Sequence, residues 1–152
     1  MTYLSLTEVE TLARAVHEGQ TDKAGRPYAE HLRAVAEGVR ARGGGEEQIA
    51  AAWLHDSVED HRLTAEQLQE LHVPQQTKDM VLALTKRPGE SPESYARRVL
   101  AVPGALLVKE SDLAHNADPA RLAVLDAPTR LRLTEKYARM RALLGLDRND
   151  QA

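Results

Sequence analysis

The chain has 152 residues, 42% of them hydrophobic and 28% charged, with a net charge of −3. That length admits one domain with its own core and excludes a two-domain enzyme of ordinary size; the composition is that of a soluble globular chain. The absence of cysteine excludes disulfides and thiolate metal sites, and the slightly acidic balance argues against a nucleic-acid groove or an anionic membrane as partner.

Ser5 or Thr7 can cap a first helix, with Glu8 and Glu10 at its positive end and Val9, Leu12, Ala13 and Val16 at helical spacing. His17 lies at the border of that stripe and reads as a packing or supporting residue; the helix ends near Gly19. Residues 20–28 form a polar turn containing Gly25 and Pro27. The second helix is predicted over 29–42, with Leu32, Val35, Ala36 and Val39 inward and His31 on the same side. Three glycines, 43–45, close it. Glu46 and Glu47 open a third helix, which carries Ile49, Ala52 and Trp53 and runs into His55-Asp56-Ser57-Val58-Glu59-Asp60. If it continues one more turn, Glu59 and Asp60 lie beside His55 and Asp56.

Thr64, with Gln67 three positions on, predicts a capping box for a short helix ending near residue 71, and Val73-Pro74 breaks it. Val81, Leu82 and Leu84 mark a helix up to Thr85. Residues 86–92 read as a loop, 94–100 as a short helix and Pro103-Gly104 as another break. Over 105–116 an apolar helix is interrupted by Lys109, Asp112 and Asn116, which share one face. Pro128 begins the last helix, whose inner stripe is Leu133, Tyr137, Met140 and Leu144; the tail over 146–152 is expected to fray. No alternating strand pattern, repeat or linker is seen. The expectation is an all-α single domain over 1–152, a compact bundle of seven or eight helices. With no run of transmembrane length and no signal-peptide pattern, the expected location is the cytoplasm.

His31, His55, Asp56 and Asp112 come from three helices, each emerging from an apolar face. Burying such groups together is costly unless a cation sits among them. Nitrogen and carboxylate donors without sulfur suit Mn²⁺, Fe²⁺, Co²⁺ or Zn²⁺, with octahedral Mn²⁺ a good fit. Each residue alone has an ordinary alternative: an inward histidine is more often a hydrogen-bonded core group, and an aspartate on a helix face is usually solvated. Glu59 and Asp60 could form a surface turn, and Lys109 could snorkel. His61 and His72 read as exposed, and His115 as either a surface side chain or a pocket wall.

The motifs together resemble the HD-domain hydrolases of the RelA/SpoT type. His17-Glu18-Gly19-Gln20, then Asp22-Lys23-Ala24-Gly25-Arg26-Pro27-Tyr28 and His31, is similar to the opening motif of that family. Leu54 to Asp60 is similar to its central His-Asp-x-x-Glu-Asp motif, and Val108 to Asn116 to its later Lys-x-x-Asp…Asn segment. The matches fall in the family's order over roughly residues 12 to 144. The length resembles that of the small single-domain alarmone hydrolases.

The resemblance implies an HD-domain helical fold in which His31, His55, Asp56 and Asp112 hold Mn²⁺ and Glu59 and Asp60 serve the attacking water. It also implies that Lys23 and Asn116 help hold a nucleotide; the residue reading adds Lys109 as a cation for phosphates. Its members release pyrophosphate from the 3′-diphosphate of guanosine tetra- or pentaphosphate, so the expected substrate is (p)ppGpp, and the length leaves no room for a synthetase domain. Three positions depart from the pattern: Asp22 where an Arg usually stacks on guanine, Leu32 where a Pro is common, and Ala117-Asp118-Pro119 where base-contacting polar residues usually follow the Asn. The alternatives are a phosphatase or phosphodiesterase for another nucleotide or phosphorylated metabolite, and a metal-bound nucleotide-binding module without catalysis. Assembly into a homo-oligomer stays open.

Overall fold

The computed structural model describes residues 2–147, so residues 148–152 of the tail expected to fray lie outside the described residues. Among the described residues there are nine helices and no strand: α1 (Leu6–Val16), α2 (Tyr28–Ala41), α3 (Glu46–Leu54), α4 (Ala65–Glu70), α5 (Gln75–Leu84), α6 (Pro92–Ala101), α7 (Ala105–Asn116), α8 (Pro119–Leu122) and α9 (Ala127–Leu143). The all-α class is as expected. The count exceeds seven or eight because of α8, a four-residue helix too short to show a hydrophobic period.

Cap chemistry sets most of the helix starts. The side chains of Ser5, Thr64, Ser91, Asp118 and Asp126 accept hydrogen bonds from first-turn amides of α1, α4, α6, α8 and α9. Ser91, with Pro92 in the first turn, explains why α6 begins two residues before the expected position.

The core is built on α3, which packs against α1, α2, α5 and α7. Ile49 to Leu54 are all buried, so past its exposed first turn this helix has no solvent face; Ala50, Ala51 and Ala52 let its neighbours approach closely. Leucine, valine and alanine fill the remaining space, with Trp53 beneath the Arg14 guanidinium at 5.2 Å. In the tail, Leu146 packs into this core rather than fraying.

The approach of α7 to α2 depends on Gly38. A Cβ built there would lie 2.1 Å from Ser111 Oγ, which donates to Val35 O of α2 at 2.8 Å. This contact brings Asp112 next to His31. At the other side of the bundle, Arg98 of α6 donates to Leu82 O, Ala83 O and Thr85 O and pairs with Glu90 at 2.6 Å. One guanidinium thus satisfies the carbonyls at the end of α5 and pins the loop carrying Lys86.

Candidate metal centre

The helix α3 stops at Leu54, one residue before His55. Glu59 and Asp60 therefore do not continue it, as the sequence reading had allowed. The chain turns instead: Ser57 Oγ donates to Leu54 O at 2.7 Å, Arg62 N and Leu63 N both donate to Ser57 O, and His61 takes a left-handed backbone with φ 58°. The turn directs the two acids to different partners. Glu59 accepts from Lys86 N at 2.8 Å, whereas Asp60 accepts from Gln20 Nε2 at 2.9 Å. Burial raises the Asp60 pKa, with Gln20 opposing it.

His31 from α2, His55 and Asp56 from the end of α3, and Asp112 from α7 each place one donor atom within 4.8 Å of all the others. His31 Nε2 and His55 Nε2 stand 3.0 and 3.3 Å from Asp112 Oδ1, and His55 Nε2 stands 3.1 Å from Asp56 Oδ2. The ring tautomers suit a metal. His55 Nδ1 lies 2.6 Å from Ala52 O, which only accepts, so the proton is on Nδ1 and Nε2 of the neutral ring is a bare lone pair. That lone pair faces two carboxylates, an arrangement that requires a second proton or a cation. Burial works against the proton, yet Asp56 and Asp112 outweigh it and hold the His55 pKa well above the ordinary value. Burial likewise opposes ionisation of Asp56, but the facing His55 brings it to about 2. A divalent ion bound by two imidazole nitrogens and two carboxylates satisfies all four groups at once.

His31 is set by a longer chain of contacts. Its Nδ1 lies 2.8 Å from His115 Nδ1, and Arg121 Nη1 donates to that same His115 atom at 2.7 Å. Burial, then Arg121, then His31 push His115 down to about 4, so its ring is neutral and accepts. Arg121 Nη1 also lies 3.3 Å from His31 Nδ1, but the shorter 2.8 Å contact with the accepting His115 Nδ1 puts the His31 proton on Nδ1, which leaves Nε2 for a metal. Arg121 also donates to Asn116 Oδ1 at 3.3 Å, Asn116 Nδ2 donates to Asp112 Oδ1 at 3.1 Å, and Arg121 Nη2 pairs with Asp22 at 3.0 Å. One guanidinium on α8 therefore braces two candidate ligands. Replacing it, Arg121→Met, is expected to weaken Mn²⁺ affinity roughly 10- to 100-fold with the fold intact, as for other outer partners of metal ligands. Competition with a metal-sensitive dye would measure it, and unchanged affinity would remove Arg121 from the support of the site.

Other predicted residues have separate surroundings. The Lys109 ammonium is buried and bound to Asp112 Oδ2 at 3.0 Å; burial opposes its charge, but Asp112 holds its pKa above the ordinary lysine value. Lys23 is exposed at the mouth of the cleft. His17 Nδ1 donates to Gln20 Oε1 at 2.7 Å, which turns the Gln20 amide toward Asp60, and its ring stacks on Tyr28. His61 and His72 are exposed. Sequence reasoning missed Arg121, Gln20 and Tyr28, whose hydroxyl donates to Asp56. Gln20 and Tyr28 lay inside the recognised opening motif, so position was a usable signal for them; α8 offered none for Arg121.

The four donors lie on the wall of a cleft of two adjoining cavities, about 230 and 260 Å³. Each alone is below the roughly 300–1,000 Å³ of small-molecule sites, so a ligand of that size has to span both. They share Lys23, Tyr28, His31, Asn116 and Tyr137. The first adds Asp22, Arg121 and an apolar wall of Leu122, Leu125 and Leu133; the second adds the other three metal-site residues, Glu59 and Lys109.

Residues 10–91, more than half of the chain, match the family model described as HD domain. The chain belongs to the HD domain family. This HD domain is 35% identical over 112 aligned positions to a probable guanosine-3′,5′-bis(diphosphate) 3′-pyrophosphohydrolase of Synechocystis, covering 66% of the present chain and 15% of that protein. It is 33% identical to the guanosine-3′,5′-bis(diphosphate) 3′-pyrophosphohydrolase of Haemophilus influenzae, with 69% and 17% covered. To a GTP pyrophosphokinase of Brucella melitensis it is 29% identical, with 93% and 20% covered. The HD domain thus spans a fifth or less of the length of these relatives. No described helix is long and apolar enough to cross a membrane.

Proposed function

We propose that this HD domain is a metal-dependent phosphohydrolase acting on a nucleotide, and that its substrate is guanosine 3′,5′-bis(diphosphate), cleaved at the 3′ position to release pyrophosphate. The observation that carries the reading is the convergence of His31, His55, Asp56 and Asp112, with both histidine tautomers offering Nε2, on the wall of a nucleotide-sized cleft. The names of the two pyrophosphohydrolase relatives support the choice of substrate.

When bound, the metal, Mn²⁺ for preference, would polarise a phosphoryl oxygen and acidify a water. His31, His55, Asp56 and Asp112 would hold it. Glu59 lines the same cavity and is steadied by the Lys86 amide, which suits it to take the proton of the attacking water. Asp60, held by Gln20, positions the turn that carries Glu59. Lys23 and Asn116 line both cavities and would bind the substrate where it passes between them. The oxygen of water bonds to the phosphorus as the 3′-oxygen–phosphorus bond breaks, and the leaving 3′-oxygen takes up a proton, so that the proton taken by Glu59 is returned overall and GDP and pyrophosphate depart.

Incubating the Mn²⁺-loaded chain with ppGpp is expected to release pyrophosphate. A second reading, a phosphatase or phosphodiesterase for another nucleotide or phosphorylated metabolite, is favoured by one observation. Asp22 directs its carboxylate to Arg121 and to the amides of Ala24 and Arg26, so the base pocket holds an ion pair where the family resemblance expects a stacking arginine. Turnover of other nucleotides in a panel of mono-, di- and triphosphates, with ppGpp inert, would move the assignment there.

A further inference from the structure

Beyond the metal, the cleft continues away from the Asp22 pocket into a third cavity that shares Lys86, Tyr95, Lys136 and Met140 with the second. Lys86 comes from the loop after α5 and Lys136 from α9, and both line the second and the third cavity. The glutamates lining this arm are already engaged: Glu90 by Arg98, and Glu59 by the Lys86 amide. Lys109 is bound to Asp112. Among the described residues, neither Lys86 nor Lys136 has a carboxylate within ion-pair distance.

Lys86 Nζ and Lys109 Nζ lie 5.6 and 5.3 Å from the centre of the same Tyr95 ring. Both lysines are exposed residues at the rim of the cleft; partial desolvation of the Lys86 ammonium, then repulsion from Lys109 and Lys136, holds its pKa below the ordinary value. Cations gathered in a cleft without their own anions are placed for an anionic ligand. The pinning of their loop by Arg98 keeps Lys86 in position.

We propose that Lys86 and Lys136 form a subsite for a second phosphoryl group, linked to the one that lies at the metal site. The inference rests on the phosphohydrolase reading. A substrate whose base occupies the half-apolar pocket of Leu122, Leu125 and Leu133 has its reacting phosphorus at the metal site and its outer phosphate between these lysines. The subsite selects a 3′-diphosphoryl group over a monophosphoryl group for transfer to water, and holds the pyrophosphate so formed until release.

The test is titration calorimetry of inorganic pyrophosphate and orthophosphate into the protein, with Mn²⁺ equal in cell and syringe. Lys86→Met and Lys136→Met are each expected to weaken pyrophosphate binding roughly tenfold, and together about a hundredfold, with orthophosphate nearly unaffected. The exposed Arg33, on α2 and outside the residues lining this cleft, supplies the control Arg33→Met. Equal loss for both anions, no loss for pyrophosphate, or the same loss in the control would overturn the subsite. Selective loss without any ppGpp turnover would keep the subsite and reject the proposed function; ppGpp turnover without selective loss would do the reverse.

Discussion

Asp112→Ala is expected to abolish metal binding and hydrolysis together and to destabilise the fold. Asp112 faces both histidine Nε2 atoms through one oxygen and neutralises buried Lys109 through the other. Its removal deletes a candidate ligand and leaves the Lys109 ammonium buried without its ion-pair partner, a loss of about 3–5 kcal/mol for a broken buried pair. Metal content by mass spectrometry and midpoint in urea would read the two effects separately. Asp112→Asn keeps the shape of the side chain and loses the charge, so it should lose metal with a smaller drop in midpoint. Stoichiometric metal in the alanine variant would sink the ligand assignment.

Glu59→Gln should lower kcat by about 10²–10⁴-fold, the usual contribution of a general base, with metal content unchanged. The glutamine oxygen can still accept from the Lys86 amide, so the turn is preserved and only proton uptake is removed. Asp60→Asn is expected to cost less activity, because Asp60 lines neither of the two cavities and acts through the turn. Steady-state kinetics at saturating Mn²⁺ compare the two, and a larger loss in Asp60→Asn would exchange their roles.

Much of this was legible in the residues. The apolar periods located the long helices, and α7 runs over 105–116 as expected. His31, His55, Asp56 and Asp112 were picked out as inward polar groups, and the bundle brings them within reach of one another. What could not be read was the end of α3. Its helical pattern continues through His55, and only the Ser57 bonds show that the chain turns there. Arg121 was equally hidden. It sits on a single helical turn, and its value depends on Asp22, His115 and Asn116 meeting it, three residues whose proximity no spacing rule predicts.

Asp22 and Pro119 were noted as separate departures from the family pattern, yet they belong together. Pro119 starts α8, α8 presents Arg121, and Arg121 pairs with Asp22. Position 22, where the resemblance expects a cation, thus carries one half of an ion pair whose cation comes from α8.

The four candidate ligands also have a mechanical meaning. They belong to α2, the end of α3 and α7, so an ion held among them is a rivet through three helices that meet around the most deeply buried one. Such a rivet adds stability by mass action, about 2.7 kcal/mol when free metal exceeds its Kd a hundredfold. The melting temperature of this domain then reports the metal supply of its surroundings, and a chelator in the buffer softens the protein before it silences the chemistry.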